Sequence, residues 1–266
     1  MTGRRLVLLV LVAAVPVVCL SAVAGCGIAA QCGLIMTAGT PWWPVILVPP
    51  LLVALIATVA WSVRFGITSS RASCELAMLR RMQVPSKLGR CAAAAGVDRI
   101  ACVTTSSPVA FCAGLLRPTV FVSRGAVALL SEPELQAVLC HEADHARRRE
   151  PARRIARNAA ADVLAFLPIV RWWSARQLER CELAADVAAE RSAGRGALAG
   201  ALLVMTSPAS SMAAFGGHAE MRARRLLGHQ IAESRPPRAL WAASLVYTWL
   251  TLSLAGCLFD VVVALA

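Results

Sequence analysis

The run Cys140-His141-Glu142-Ala143-Asp144-His145-Ala146 places two histidines four residues apart, with a glutamate directly after the first. Residues four apart share one face of an α-helix, so His141 and His145 can aim ring nitrogens at one point, with Glu142 a step round the helix. Two imidazoles and a neighbouring carboxylate suit a divalent metal, with the carboxylate in reach of a water beside it. Zinc lowers the pKa of such a water to roughly 7, and a carboxylate can take its proton as the hydroxide attacks a peptide carbonyl. The spacing therefore points to metal-assisted hydrolysis, with His141 and His145 as ligands and Glu142 as base, if the run is helical. Chance surface histidines are the bland alternative, and with only four histidines in 266 residues such a coincidence is small.

The flanks start such a helix. Ser131-Glu132-Pro133-Glu134 reads as a capping box, with Ser131 as N-cap and Glu134 at N3, and Leu135, Val138 and Leu139 continue as an apolar stripe. Arg147-Arg148-Arg149-Glu150-Pro151 ends it, with cations suited to the negative end of the helix dipole. A catalytic metal site keeps three protein ligands and an open position. Glu182 is the candidate third ligand. In Glu179-Arg180-Cys181-Glu182-Leu183-Ala184-Ala185-Asp186, Glu182 and Asp186 share a helix face, where Glu182 can bind metal while Asp186 orients a ligand histidine from behind. A solvated acidic face is the alternative for that pair. Cys140 and Cys181 adjoin ligand positions, but helical neighbours point about 100° apart, so both read as small buried residues.

At 58% hydrophobic residues the chain is too apolar for a soluble protein of its length. Three stretches reach the roughly 20 residues a bilayer core demands: Leu6 to about Gly27, Trp42 to Val63, and Ala239 to Ala266, where Asp260 is placed to snorkel to the interface. Val23-Ala24-Gly25-Cys26 offers a rival for the first, a lipoprotein processing site that would lipidate Cys26. Arg4 and Arg5 precede the first span, the connection from Gln31 to Thr40 is uncharged, and nearly all other arginines fall between Arg64 and Arg238. The positive-inside rule then puts that long region in the cytoplasm and the C-terminus outside. The net charge of +12 reads as membrane-surface contact; without aromatic interleaving or a recognisable module, direct nucleic-acid binding is not expected. Six of the ten cysteines lie in the region expected to be cytoplasmic and form no Cys-x-x-Cys pair, which argues against a disulfide scaffold.

Val63 to about Gly96 reads as a helix broken at Pro85, with Leu76, Leu79 and Met82 recurring among basic residues. Ile100 to Thr105, Val109 to Cys112 and Thr119 to Val122 are β-prone runs. A small antiparallel sheet against the metal helix is expected, with an edge able to hold an extended substrate by strand addition. Ala159 to Val170 is apolar except for Asp162 and closes on Arg171-Trp172-Trp173. It cannot cross the bilayer if His141, His145 and Glu182 are to meet, so a re-entrant, interfacial or core helix is expected near 159–173. Downstream, Gly216-Gly217-His218-Ala219-Glu220-Met221-Arg222 offers His218 or Arg222 to the oxyanion of a tetrahedral intermediate, or places Arg222 behind the ligands. A flexible surface histidine beside a basic face is the alternative.

Several motifs follow one another in order: Ala110-Phe111-Cys112-Ala113-Gly114, Arg117-Pro118-Thr119-Val120-Phe121-Val122-Ser123, Leu130-Ser131, Glu134-Leu135, His141-Glu142-Ala143-Asp144-His145, Arg147-Arg148-Arg149-Glu150, and Glu182-Leu183-Ala184-Ala185-Asp186. In this the chain resembles the membrane-embedded zinc peptidases of the BlaR/MecR antirepressor family and, more distantly, HtpX and the CAAX prenyl proteases. The resemblance implies a gluzincin site, with zinc on His141, His145 and Glu182, Glu142 as base, and Asp186 behind them. Glu150 stands where the family commonly has aspartate and is the other candidate for that outer position; His218 matches only loosely the downstream histidine of the HtpX relatives. Antibiotic-sensing members carry an extracellular penicillin-binding domain after their last span, whereas this chain stops at Ala266, so beta-lactam sensing by that route is not expected.

The expectation is a mainly α membrane protein of about three spans in a bacterial-type cell membrane. It comprises a transmembrane hairpin over 1–63, a cytoplasmic gluzincin-like α+β metallopeptidase domain over 64–238, and a transmembrane helix over 239–266. Its expected partners are the lipid bilayer and a protein or peptide substrate, by resemblance a DNA-binding repressor. Quality-control cleavage of membrane proteins, as in HtpX, and a catalytically silent membrane signalling scaffold are the rivals.

Overall fold

The structure is a computed structural model that describes residues 43–206, 219–229 and 235–265. Along the chain the elements are α1 (Trp43–Met78), β1 (Arg81–Met82), α2 (Ser86–Ala94), β2 (Ile100–Val103), β3 (Ala110–Ala113), β4 (Thr119–Ser123), α3 (Arg124–Leu129), α4 (Glu132–Arg147), α5 (Glu150–Val163), α6 (Pro168–Ala193), α7 (Arg195–Met205), α8 (Ala219–Leu226) and α9 (Arg238–Leu265). The chain is mostly helical with one small mixed sheet. It divides into two units. One gathers the described residues of Met1–Val63, Val163–Arg171 and Pro236–Ala266, and the other Arg64–Asp162 and those of Trp172–Arg235.

In the larger unit the central helix α4 starts as its capping box requires. The Ser131 N–H donates to the Glu134 carboxylate at 2.8 Å, which satisfies a backbone donor that the first turn cannot. Leu135, Val138 and Leu139 are fully buried, against Leu88 of α2, Val120 and Val122 of β4, and Leu198 of α7. Each such side chain contributes roughly 1.5–3 kcal/mol by leaving water, so α4 is anchored on one face while its histidines occupy another.

The strand order is β1-β2-β4-β3. The sheet is not wholly antiparallel as expected: β2 and β4 run parallel, from Ile100 opposite Val120 to Val103 opposite Ser123. The chain reverses after β2 to form β3, then reverses again into β4, which inserts between β2 and β3. Two reversals restore the direction of β2. The second needs Gly114, whose φ is +113° and whose Cβ would lie 2.8 Å from the Arg117 carbonyl. Among the described residues β3 has no strand on its outer side. The helix expected from Val63 to Gly96 is also interrupted earlier than Pro85, because Arg81–Met82 leave it to extend the open edge of β2.

In the other unit, α1 exposes Leu51, Leu55, Ile56 and Val59, and α9 exposes Trp241, Leu245 and Leu258. Apolar surface of that extent calls for a non-aqueous partner. Leu47–Met78 and Arg238–Phe259 are long and apolar enough to cross a membrane, which suggests a membrane protein. Where about three spans were expected, the described residues contain two candidates; Leu6 to Gly27, Cys26, the uncharged connection after it and the side chain of Asp260 lie outside them. The helix does not stop before Arg64 as expected, and the Arg64 guanidinium instead donates to Asp162 at 2.8 Å. The apolar stretch near 159–173 is not one helix. α5 ends at Val163 and α6 begins at Pro168, whose missing N–H is tolerated only at a helix start. Phe166 in the turn between them is exposed, while Leu164 and Leu167 are half-buried.

Candidate metal centre

α4 carries His141, Glu142 and His145 in its third turn and beyond, all buried. Their Nε2 atoms face each other, His141 to His145, at 3.2 Å. Glu182, on α6, completes the group: its Oε2 is 3.5 Å from His141 Nε2 and its Oε1 3.8 Å from His145 Nε2. One ligand atom from each of the three lies within 4.8 Å of the others, close enough for one ion to touch all three. Glu182 Oε2 is buried without a hydrogen-bond donor, a position that normally costs 1–3 kcal/mol or so and that a cation would relieve. Nitrogen, nitrogen and carboxylate oxygen form a donor set that fits a borderline divalent ion.

One turn after Glu182, Asp186 is fully buried and accepts from His141 Nδ1 at 3.0 Å. That contact assigns the proton to Nδ1 and leaves the Nε2 lone pair for the metal. Asp186 is itself held by Arg222 of α8, whose Nε lies 3.1 and 2.9 Å from the two carboxylate oxygens and whose Nη2 lies 2.5 Å from the first.

The charges follow from these contacts. Burial pushes His145 down to about 3, assisted by the neighbouring His141, so it is a neutral lone-pair donor. Burial also lowers His141, but the Asp186 and Glu182 carboxylates outweigh it and hold its pKa above the usual value. Burial would raise Glu182 and Asp186; their partners, His141 first for both and then Arg222, reverse this and keep them ionised. Glu142 is raised, chiefly by burial, which moves a carboxylate toward the range in which it can accept and return a proton near neutral pH.

A cavity of about 320 Å³ opens beside Glu142, His145 and Glu182. Its apolar walls include Leu76 and Leu79, Phe111 and Leu115, and Ile155, with Phe111, Cys112 and Ala113 contributed by β3. The cavity also contains Arg154, which donates to Glu182 Oε1 at 3.3 Å. Sequence reasoning missed this residue; one arginine in the basic helix α5 carries no local mark that it faces a site.

The other candidates divide. Arg222 is completely buried behind His141, away from the cavity lining, so the oxyanion role does not match its position while the outer position does. Glu150 lines the cavity but pairs with Arg157 and bonds to none of the three ligand candidates. His218 lies outside the described residues. Cys140 is buried and directs its Sγ to Ser192, and Cys181 is half-buried; neither joins the metal group.

A helix that offers both imidazoles of a His-Glu-x-x-His run to a carboxylate from a second helix, with an acid one turn further on, defines a metallopeptidase. The model of Peptidase family M48 matches residues 78–232, more than half of the chain. The chain belongs to Peptidase family M48, whose members are metal-dependent. No curated protein matches it.

Proposed function

We propose that the chain is a zinc-dependent membrane endopeptidase that cuts a protein substrate at the cytoplasmic face of the membrane. The observation that supports this best is the convergence of His141, His145 and Glu182 at the wall of a cleft that also contains Glu142. Those three residues would hold zinc, which supplies the Lewis acidity that makes water a nucleophile at neutral pH. Glu142 takes a proton from the attacking water on its carboxylate and delivers it to the leaving amine. Its raised pKa suits both transfers. Asp186 keeps the His141 proton on Nδ1, and Arg222 keeps Asp186 ionised and in place. Arg154 is the cation positioned to stabilise the developing oxyanion. An extended segment would add to the free edge of β3 and insert an apolar side chain between Leu76, Phe111 and Ile155.

The resemblance to the BlaR/MecR family makes a transcriptional repressor the first substrate class. The apolar walls favour a second, quality control of membrane proteins, because a segment escaped from a damaged membrane protein is itself apolar. A Glu142→Gln variant is expected to retain stoichiometric zinc and lose cleavage. Comparing cellular peptides between it and the wild type would identify the substrate. Full activity in the variant would remove Glu142 as base, and absence of stoichiometric zinc from the wild type would favour a silent scaffold.

A further inference from the structure

On the other side of α4 from its histidines lies a second cavity, of about 280 Å³. Ala143 and Ala146 line it, Arg147 and Arg149 come from the end of the same helix, Arg99 from the start of β2, and Arg117 from the turn before β4. Four arginines from three parts of the fold thus line one cleft, all of them exposed, with Asp98 as the only acidic residue in the lining. Among the described residues the side chains of Arg99, Arg117 and Arg149 have no ion-pair partner. Arg147 has only a distant hold on Asp144, at 3.7 Å, which Arg148 already neutralises at 2.7 Å.

A helix C-terminus attracts cations by its dipole, which would account for Arg147 and Arg149 but not for arginines delivered there by two other loops. Arg149 adds an independent sign. Its φ is +52°, and it is the only non-glycine residue with positive φ among those described. Its N–H caps the helix by donating to the Ala146 carbonyl at 3.0 Å. Glycine is the residue that such a position favours, so a side chain retained there against backbone strain points to a use for that side chain.

We propose that this cleft is a binding site for a phosphate-bearing anion, either a soluble phosphate compound or the headgroup of an anionic lipid. Guanidinium forks bind phosphate oxygens in pairs, and four exposed arginines at one cleft can bring several such forks to one phosphate. The ligand would rest against the back of the helix that carries His141 and His145. This inference does not depend on the peptidase reading.

The test uses the full chain in neutral detergent, with thermal unfolding followed at constant ionic strength. Inorganic phosphate and dihexanoyl phosphatidylglycerol are titrated, with dihexanoyl phosphatidylcholine as control. A saturable rise in Tm is expected, roughly 5 °C or more at a hundredfold excess over Kd. A response to both anions marks the phosphate group itself as sufficient; a response to phosphatidylglycerol alone marks a lipid headgroup. R117A and R149G should each weaken the response by about tenfold or more. R149G also removes the strained conformation, so its lost response cannot be attributed to misfolding. The proposal is overturned if neither anion gives a saturable shift, if phosphatidylcholine does as well as phosphatidylglycerol, or if R117A and R149G respond like the wild type.

Discussion

Arg222 and Asp186 are both completely buried and joined by three short contacts, which makes their single and double replacement the most demanding test of the site. In Asp186→Asn the guanidinium stays in the interior without its closest counter-charge, Glu182 lying 3.9 Å away, and in Arg222→Met the carboxylate keeps His141. Breaking a buried pair from one side costs about 3–5 kcal/mol, whereas replacing both partners is often near neutral. At about 2–4 °C per kcal/mol for a chain of this size, each single variant should melt roughly 6–20 °C below the wild type. The double variant should recover most of that loss, giving a coupling energy of about 3 kcal/mol or more. Metal affinity should divide differently. Asp186→Asn and the double variant both replace the anionic acceptor on His141 Nδ1 with a neutral amide oxygen and should bind zinc about 10–100-fold more weakly. Arg222→Met keeps that acceptor and should lose less. Thermal unfolding by circular dichroism and zinc competition against a chelator read the two quantities separately. Additive single effects, or an Arg222→Met variant within about 1 kcal/mol of wild type, would refute the buried clamp.

Three further outcomes follow from the same geometry. Arg154→Ala should lower kcat/KM by about 100-fold while zinc is retained; a loss confined to zinc affinity would make Arg154 a partner of Glu182 and nothing more. In chelator-stripped protein, His145 contributes to the pH dependence of folding with a definite sign. Its pKa falls from 6.5 to about 3 on folding, so the unfolded chain takes up the proton first. The contribution is complete above pH 6.5 and disappears toward about 3, with an upper bound of roughly 5 kcal/mol at about 1.4 kcal/mol per unit. His141, whose pKa is raised, acts in the opposite direction, so the difference between wild type and His145→Asn is the quantity to measure, and it should narrow only below about pH 6.5. Gly125→Ala should cost about 2–3 kcal/mol in a thermal melt despite its helical setting, because a Cβ there would meet the backbone oxygen of Ser106 at 1.9 Å and neither chain segment can give way.

The parts of this fold that were legible in sequence are those in which a residue and its partner lie within one turn of helix or one strand. The four-residue spacing of His141 and His145, the capping box of Ser131 and Glu134, and the pairing of Glu182 with Asp186 all belong to that class: the two imidazoles face each other, the cap bond forms, and Asp186 meets His141 one turn beyond Glu182. Strand direction does not belong to it. Val120 and Val122 alternate with the same period whether β4 runs parallel or antiparallel to β2, and only the two reversals around β3 decide between them. The turn at Leu164–Leu167 was hidden for a related reason, since apolar composition across 159–173 outweighed the single proline that divides it.

Arg222 shows the limit most clearly. A downstream arginine in a basic stretch reads equally as a solvated charge, an oxyanion donor or a residue behind the ligands, because its sequence neighbours do not name a partner 36 residues away. The structure buries it entirely against Asp186, and a guanidinium in that position is tolerable only if the carboxylate is ionised. An ionised Asp186 in turn holds the His141 proton on Nδ1 and leaves Nε2 for a metal. The protonation state of the candidate ligands on α4 and α6 thus depends on α8, through a buried charge pair whose partners lie 36 residues apart.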